Sequence, residues 1–444
     1  LATIEAQYTA LLAQLNQAML ANDADRVPLL RRIMRHLNHP DRHFHVIHIA
    51  GTNGKGSTGA MLASVLQAQG LRVGRFSSPA INDPREQLQV NGHWIQPAEF
   101  LDSYHEIVPV LTNMGLKAAD ISVFEWLFLI SMVWFRNQNL DWAIVEAGLG
   151  GQYDATNALA GPQVTVFTKI ALDHTRILGS TLDAIARNKS KIIKSKTTVV
   201  TLANQDPAAQ AVLQAEVARQ GVPIVRPTRL NWQVHDREIT GTTLDIASDQ
   251  YQWQNLKLGL VGDYQLQNLS LVLTVIAVLK RHLITISDTA VRTGLAQVQV
   301  PGRLTVLQTE PLIVADGAHN PDGMQALVNS VQALLPGRSL VWVVGVLKDK
   351  AYEQMLMTLL PAAQVVITNT PQQPDRALPA KVLAATAEQL AITDQPQVMA
   401  ADDIQSALAL AQQKVAENGA IVVAGSFYVM RELQQAGWLV LPDD

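Results

Sequence analysis

The chain contains no cysteine. That excludes disulfides, thiol nucleophiles and thiolate metal sites, so any metal must be held by oxygen or imidazole. Charge is sparse as well: 16% of the residues are Asp, Glu, Lys or Arg, the formal net charge is −4, and the two signs are interspersed. No basic face advertises nucleic acid and no polybasic stretch advertises a membrane, so the expected partners are small molecules. Long apolar runs are also missing. The most apolar one, Val123 to Phe135, is interrupted by Glu125 and Ser131 and is too short to cross a bilayer. The first twenty residues mix Glu5, Gln7, Gln14 and Asn16 with apolar positions at helical spacing, unlike a signal peptide, and a cytoplasmic monomer is expected. Because the chain starts at Leu1 rather than methionine, a residue or more is expected to precede it. Apolar residues, by contrast, make up 48% of 444 positions, beyond the size at which one core stops growing, which predicts two domains.

The most informative stretch is Gly51-Thr52-Asn53-Gly54-Lys55-Gly56-Ser57-Thr58. It follows the apolar run Phe44 to Ala50 and precedes Ala60 to Leu66, whose spacing suits a helix. Strand, glycine-rich turn and helix form the context of a phosphate-binding loop. Glycines let the backbone approach an anion, the helix start offers free N–H groups, and Lys55 adds a positive charge. Gly56 separates Lys55 from Ser57, whereas the usual loop joins them. A plain glycine-rich turn with a solvated lysine is the blander alternative.

Further strands are predicted at Leu71–Phe76, Asp141–Glu146, Gln163–Thr168 and Thr197–Thr201, with a hairpin around Asn91-Gly92. Helices are predicted from Pro97, over Ser122–Phe135, from a cap at Ser180 or Thr181, and over Tyr264–Lys280. Asn231 to Gly262 reads as a small antiparallel appendage turning at Thr240-Gly241. Pro301-Gly302 marks a break, after which strands are expected at Leu312–Asp316, Leu340–Gly345, Gln364–Asn369, Gln397–Ala400 and Ala420–Ala424. The reading is α/β: a nucleotide-binding domain with a doubly wound, mainly parallel sheet over residues 1–299, and a smaller Rossmann-like α/β domain over 300–444.

Ligands of open α/β sheets sit outside the carboxyl ends of the strands. The phosphate loop, Ser77-Ser78, Glu146 and Asp173-His174 fall at four such ends. Ser57 suits the metal that accompanies phosphates, while Ser78, Glu146 and His174 offer two oxygens and an imidazole to a second divalent ion. Singly, Glu146 reads as a carboxylate paired with a lysine and His174 as a histidine satisfied by a carbonyl; their recurrence at successive strand ends favours a site. Lys189, in a run with Lys191 and Lys194, reads from spacing alone as part of a solvated face. Glu125 completes a capping box from Ser122 and needs no catalytic role. Asp316-Gly317-Ala318-His319-Asn320-Pro321, a strand end with a glycine turn and a histidine before a helix, has the look of a site, and Arg303 is placed to reach a phosphate across the cleft.

Taken jointly, these residues resemble the folylpolyglutamate synthase family, the folate branch of the Mur-type amide ligases. The matching segments keep their order almost end to end: Gly51–Ser57, Ser78-Pro79, Val145–Gly151 with Asp154–Asn157, Leu172–His174, Ile185-Ala186 through Lys189 to Lys194, Gly262–Gln265 with Asn268, Pro301–Arg303, Asp316–Pro321, Asp349-Lys350 and Gly425-Ser426. The resemblance implies ATP-dependent ligation of L-glutamate to the γ-carboxyl of a reduced folate. By analogy Thr52, Asn53, Gly54, Lys55, Gly56 and Ser57 bind ATP phosphates, Asn268 contacts adenine, and Arg303 and Asp316 complete the nucleotide site. Ser57, Ser78, Glu146 and His174 match ligands of two Mg2+ ions. Lys189 matches a carbamylated lysine, which reverses its solvated reading, and His319 would lie near the transferred phosphate and the incoming glutamate. Ser77 to Gln87 corresponds to the loop near the folate.

The chain departs from the family pattern at Gln87, Gln152 and Lys191, at Val300 where Trp is common, and at Ala351 where Asp is common. None of these is a nucleotide or metal residue. Joining glutamate to dihydropteroate, alone or in addition, is the rival activity, and a degenerate folate- or ATP-binding relative is the rival of another class.

Overall fold

The computed structural model describes residues 3–16, 25–282, 284–391 and 396–443. Strands β1 (His45–Ala50), β2 (Val73–Phe76), β3 (Leu88–Val90), β4 (His93–Trp94), β5 (Trp142–Glu146), β6 (Val164–Phe167), β7 (Thr198–Thr201) and β8 (Ile224–Val225) join in the order β4-β3-β2-β5-β1-β6-β7-β8. From β2 to β8 in that order all pairs are parallel. A parallel sheet needs crossover helices on both faces, which is why its strands are mostly apolar: Ile47, Ile49 and Ala50 are fully buried. At the β3–β4 hairpin Asn91 and Gly92 both have positive φ, as the Asn-Gly pair predicts. The helical spacing near the start forms the helix Ile4–Leu15, and residues 17–24 lie outside the described residues.

Strands β9 (Asn231–Glu238), β10 (Gly241–Ala247) and β11 (Gln252–Leu258) form the expected antiparallel sheet. It is more than an appendage, because Leu244, Ile246, Leu256 and Leu258 join the core of the helices Lys55–Ala68 and Tyr264–His282. The second large sheet comprises β12 (Thr305–Thr309), β13 (Leu312–Ala315), β14 (Leu340–Val344), β15 (Val365–Thr368), β16 (Gln397–Ala400) and β17 (Ala420–Ala424), in the order β12-β13-β17-β14-β15-β16. It is parallel except for β12, an edge strand without a sequence forecast that hairpins onto β13. Ile81 and Trp94, from the segment after β2, pack into the core of this second sheet and tie the two parts together. Among the described residues no helix is long and apolar enough to cross a membrane.

Candidate functional site

The chain leaves β1 through Gly51 and Gly54 and enters the helix Lys55–Ala68. Gly54 has φ +92°, and a Cβ there would stand 2.3 Å from Asn268 Oδ1, so only glycine fits. Thr52 locks the loop: its N–H donates to the Lys169 carbonyl at 2.7 Å and its hydroxyl to the Ala171 carbonyl at 2.9 Å. The Lys55 ammonium folds back to within 3.3 Å of the Gly51 carbonyl. Ser57 Oγ accepts from Gln265 Nε2 at 3.1 Å, and Gln265 Oε1 accepts from Asn268 Nδ2 at 2.9 Å, so the helix Tyr264–His282 braces the loop from behind. Asn53 reaches across to the second domain, donating to Asp322 at 2.7 Å and accepting from Asn320 at 3.1 Å.

One cavity of about 400 Å3 is lined by Thr52, Asn53, Gly54, Lys55, Gly56, Ser57, Ser78, Glu146, His174, Lys189, Asn268, Arg303, Asp316 and His319. Each residue given a nucleotide, metal or catalytic role from sequence therefore lines the same space. Lys189 is not solvated: it is 4% exposed and donates to the Gly51 carbonyl at 2.8 Å. Lysines beside it in sequence diverge, with Lys191 pairing Glu216 at 2.9 Å. Burial, reinforced by the nearby Lys55 charge, lowers the Lys189 amine to about 7. Glu146 ends β5 and its carboxyl is pushed up by burial, against the pull of Lys55, Arg75 and Arg303. It forms no salt bridge and accepts no side-chain hydrogen bond among the described residues, which leaves its oxygens free for a cation. Those residues hold no cluster of three His, Asp or Glu side chains suited to a metal; the expected set instead combines Glu146 and His174 with serine hydroxyls. Burial lowers the His174 imidazole to about 4, which leaves it neutral and able to ligate.

Asp316 is buried and fully engaged, accepting from Tyr264 Oη at 2.8 Å, the Leu304 N–H at 3.0 Å and the Ala318 N–H at 2.8 Å. It holds the turn that presents His319, whose Nδ1 donates to the Gly317 carbonyl at 2.8 Å. Arg303 stacks its guanidinium 5.0 Å from the Phe427 ring.

Asp173 is the residue that the sequence reading undervalued. Its carboxylate accepts from Lys350 Nζ at 2.7 Å and Asn320 Nδ2 at 3.0 Å, and lies 3.7 Å from His319 Nε2 and 3.8 Å from His174 Nε2. Burial alone would raise its carboxyl, but the contacts with His319 and Lys350 prevail and hold it well below the usual range. Three of these partners come from the second domain, so spacing within the first could not reveal them.

A second cavity of about 780 Å3 shares Ser78, Pro79, Gly148, His174 and His319 with the first. Phe124, Leu149 and Ile177 give it an apolar wall, and Gln87 lines it. The Glu86 carboxylate accepts the N–H groups of Ile81, Asn82 and Asp83 and so shapes the loop that closes one side. Glu125, besides completing its capping box, pairs with Arg26 at 2.7 Å on the same rim.

Comparison with known proteins gives two domain matches: Mur ligase middle domain over residues 49–276, and Mur ligase, glutamate ligase domain over 302–427. Folylpolyglutamate synthase from Lacticaseibacillus casei is 33% identical, over 96% of this chain and 98% of its own. Mycobacterium tuberculosis folylpolyglutamate synthase complexed with ADP superimposes with a TM-score of 0.87 at 30% identity, covering 98% of this chain and 99% of that one. An FPGS–AMPPCP–folate complex matches with a TM-score of 0.81 at 30% identity, over 97% and 99%.

Proposed function

Since this chain belongs to the Mur ligase family, with folylpolyglutamate synthases among its relatives, we propose that it is an ATP-dependent ligase adding L-glutamate to the γ-carboxyl of a reduced folate. The observation that carries this reading is the single cavity into which the phosphate loop, the β5 and β6 ends and the Asp316–His319 turn all project.

A carboxylate is a poor electrophile until phosphorylated. A folate γ-carboxylate oxygen attacks the γ-phosphorus of ATP, ADP leaves, and an acyl phosphate forms. The glutamate amine then attacks the acyl carbon, loses a proton and expels phosphate. Phosphoryl transfer asks the protein mainly for positioning and charge neutralisation. In this reading the Thr52–Ser57 loop and Lys55 hold the phosphates, Arg303 approaches them from the second domain, and Asn268 lies toward the adenine. Asp316 sets the turn that brings His319 to the shared edge of the two cavities, where the phosphate and the incoming amine meet. Ser57, Ser78, Glu146 and His174 have the donor chemistry to hold Mg2+, which when bound would offset the charge of the phosphate oxygens. A Lys189 amine lowered to about 7 is largely neutral at pH 8, the form that adds CO2 and releases a proton to give an anionic carbamate. The apolar second cavity would take the folate. A division into residues 1–299 and 300–444, a monomeric state and a cytoplasmic location complete the proposal.

The test is glutamate-dependent ADP release with a reduced folate and Mg2+, run beside dihydropteroate as acceptor. Turnover with the folate is expected; turnover with neither acceptor overturns the ligase reading.

A further inference from the structure

The core face of the small sheet extends past the core itself. β9 pairs with β10 so that Val234 lies opposite Leu244 and Trp232 opposite Ile246. Opposed residues of an antiparallel pair share a face, so Trp232 projects on the same side as Ile246, which is 1% exposed. Trp232 itself is 39% exposed and stands outside that core cluster. Its indole instead borders the nucleotide cavity, together with Gln267 and Asn268 from the helix Tyr264–His282 and Asn329 and Ser330 from the helix Pro321–Leu334. The phosphate loop and its lysine occupy another wall of the same cavity. A nucleotide held there by its phosphates needs a flat, apolar surface for its base; Gln267, Asn268, Asn329 and Ser330 are polar, Leu266 is buried, and the Tyr264 hydroxyl is bound to Asp316.

We propose that Trp232 is the stacking platform for the purine base of ATP, a base-binding residue contributed by the small sheet. The assignment rests on the ATP reading above. It gives the three-stranded sheet a task in substrate binding beyond filling the core. Because β9 is an edge strand, its backbone has a hydrogen-bonded neighbour on one side only, which leaves Trp232 room to adjust over the base. Stacking is tolerant of base identity, so Trp232 would strengthen binding of adenine and guanine nucleotides alike and leave discrimination to polar groups such as Asn268.

The experiment titrates ADP and, as a phosphate-only probe, pyrophosphate against the full chain and its Trp232→Ala and Trp232→Phe variants by calorimetry. From the usual worth of a base–aromatic stack, Trp232→Ala is expected to weaken ADP by about tenfold or more and Trp232→Phe to recover most of that, with pyrophosphate binding unchanged in all three. ADP should also quench indole fluorescence in the parent chain and quench it less in Trp232→Phe. Unaltered ADP affinity in Trp232→Ala, or a parallel loss of pyrophosphate, overturns the assignment. Absence of ADP binding by the parent chain would instead overturn the nucleotide reading, and this assignment with it.

Discussion

Replacing Lys189 by methionine should make the protein more stable than the form with a free Lys189 amine, because of its burial, and inactive, because of the proposed carbamate. Lys189 is 4% exposed, and its ordinary value of 10.5 falls to about 7 in the folded chain. At 1.36 kcal/mol per unit, keeping the proton in that environment disfavours the folded state by roughly 5 kcal/mol below pH 7. The sign follows from proton counts. Between about 7 and 10.5 the unfolded chain keeps a proton that the folded chain has shed, so stability rises with pH through that window and is flat below it. At pH 8 the remaining penalty is roughly 3 kcal/mol, and methionine removes it while filling similar volume. The lost hydrogen bond to the Gly51 carbonyl returns about 1 kcal/mol, which leaves a net gain of about 2 kcal/mol. Urea unfolding at pH 6, 8 and 10 should show a gain largest at pH 6 and vanishing by pH 10. Glutamate-dependent ADP release should fall by about 100-fold or more, the usual effect of deleting one electrostatic stabiliser. Acetate, a carboxylate small enough for the hollow left by Lys189→Ala, should restore part of that variant's turnover. A Lys189→Met protein that is no more stable at pH 6, or that turns over at the parental rate, refutes the reasoning.

Three other perturbations test separate parts of the site. Lys350→Met leaves the Asp173 carboxylate, 9% exposed, without its closest cation, and a loss of about 3 kcal/mol in urea unfolding is expected; an unchanged midpoint would show that Asn320 and His319 suffice. Gly54→Ala places a Cβ 2.3 Å from Asn268 Oδ1 at φ +92°, so ADP affinity measured by calorimetry should drop at least about tenfold, as expected for about 1–2 kcal/mol of left-handed strain with displacement of Asn268; parental affinity would mean that the loop relaxes freely. Ala351 caps the helix Tyr352–Leu359 without a side-chain hydrogen bond, so Ala351→Asp should raise stability by about 1 kcal/mol, and no rise in the denaturation midpoint would show that the turn at this position cannot adopt cap geometry.

What the sequence disclosed and what it hid divide along one physical line. The parallel strands were legible because strands covered on both faces are rich in apolar residues, and the turns after them because glycine and serine stand out against that background. β12 was not, since Thr305 to Thr309 alternates weakly at a half-buried edge and pairs where the hairpin returns it to β13. Helix ends were open for a similar reason. Between the candidate caps Ser180 and Thr181, Thr181 is the one that accepts a backbone N–H, from Ala184, and the helix runs from Leu182 to Ser190.

The same line runs through the site. Lys189 reads as solvated in a Lys-rich run because periodicity knows nothing of the Gly51 carbonyl 138 positions away. Asp173 reads as a companion of His174 because Lys350, Asn320 and His319, which draw its charge into the cleft, are on the other side of Pro301. Trp232 gave no signal, since one aromatic in an alternating strand reads as core until its neighbour Ile246 proves to fill the core without it. In each case the missing information is a contact between parts far apart in sequence. At the cleft itself Asn53–Asp322, Asn320–Asp173 and Lys350–Asp173 join those parts through polar groups, which lose less on exposure to water than the apolar anchor that Ile81 and Trp94 make in the second sheet's core. Polar contacts of this kind can separate and reform at the cleft while Ile81 and Trp94 stay anchored, during a cycle in which two substrates must enter and a water-sensitive acyl phosphate must be covered.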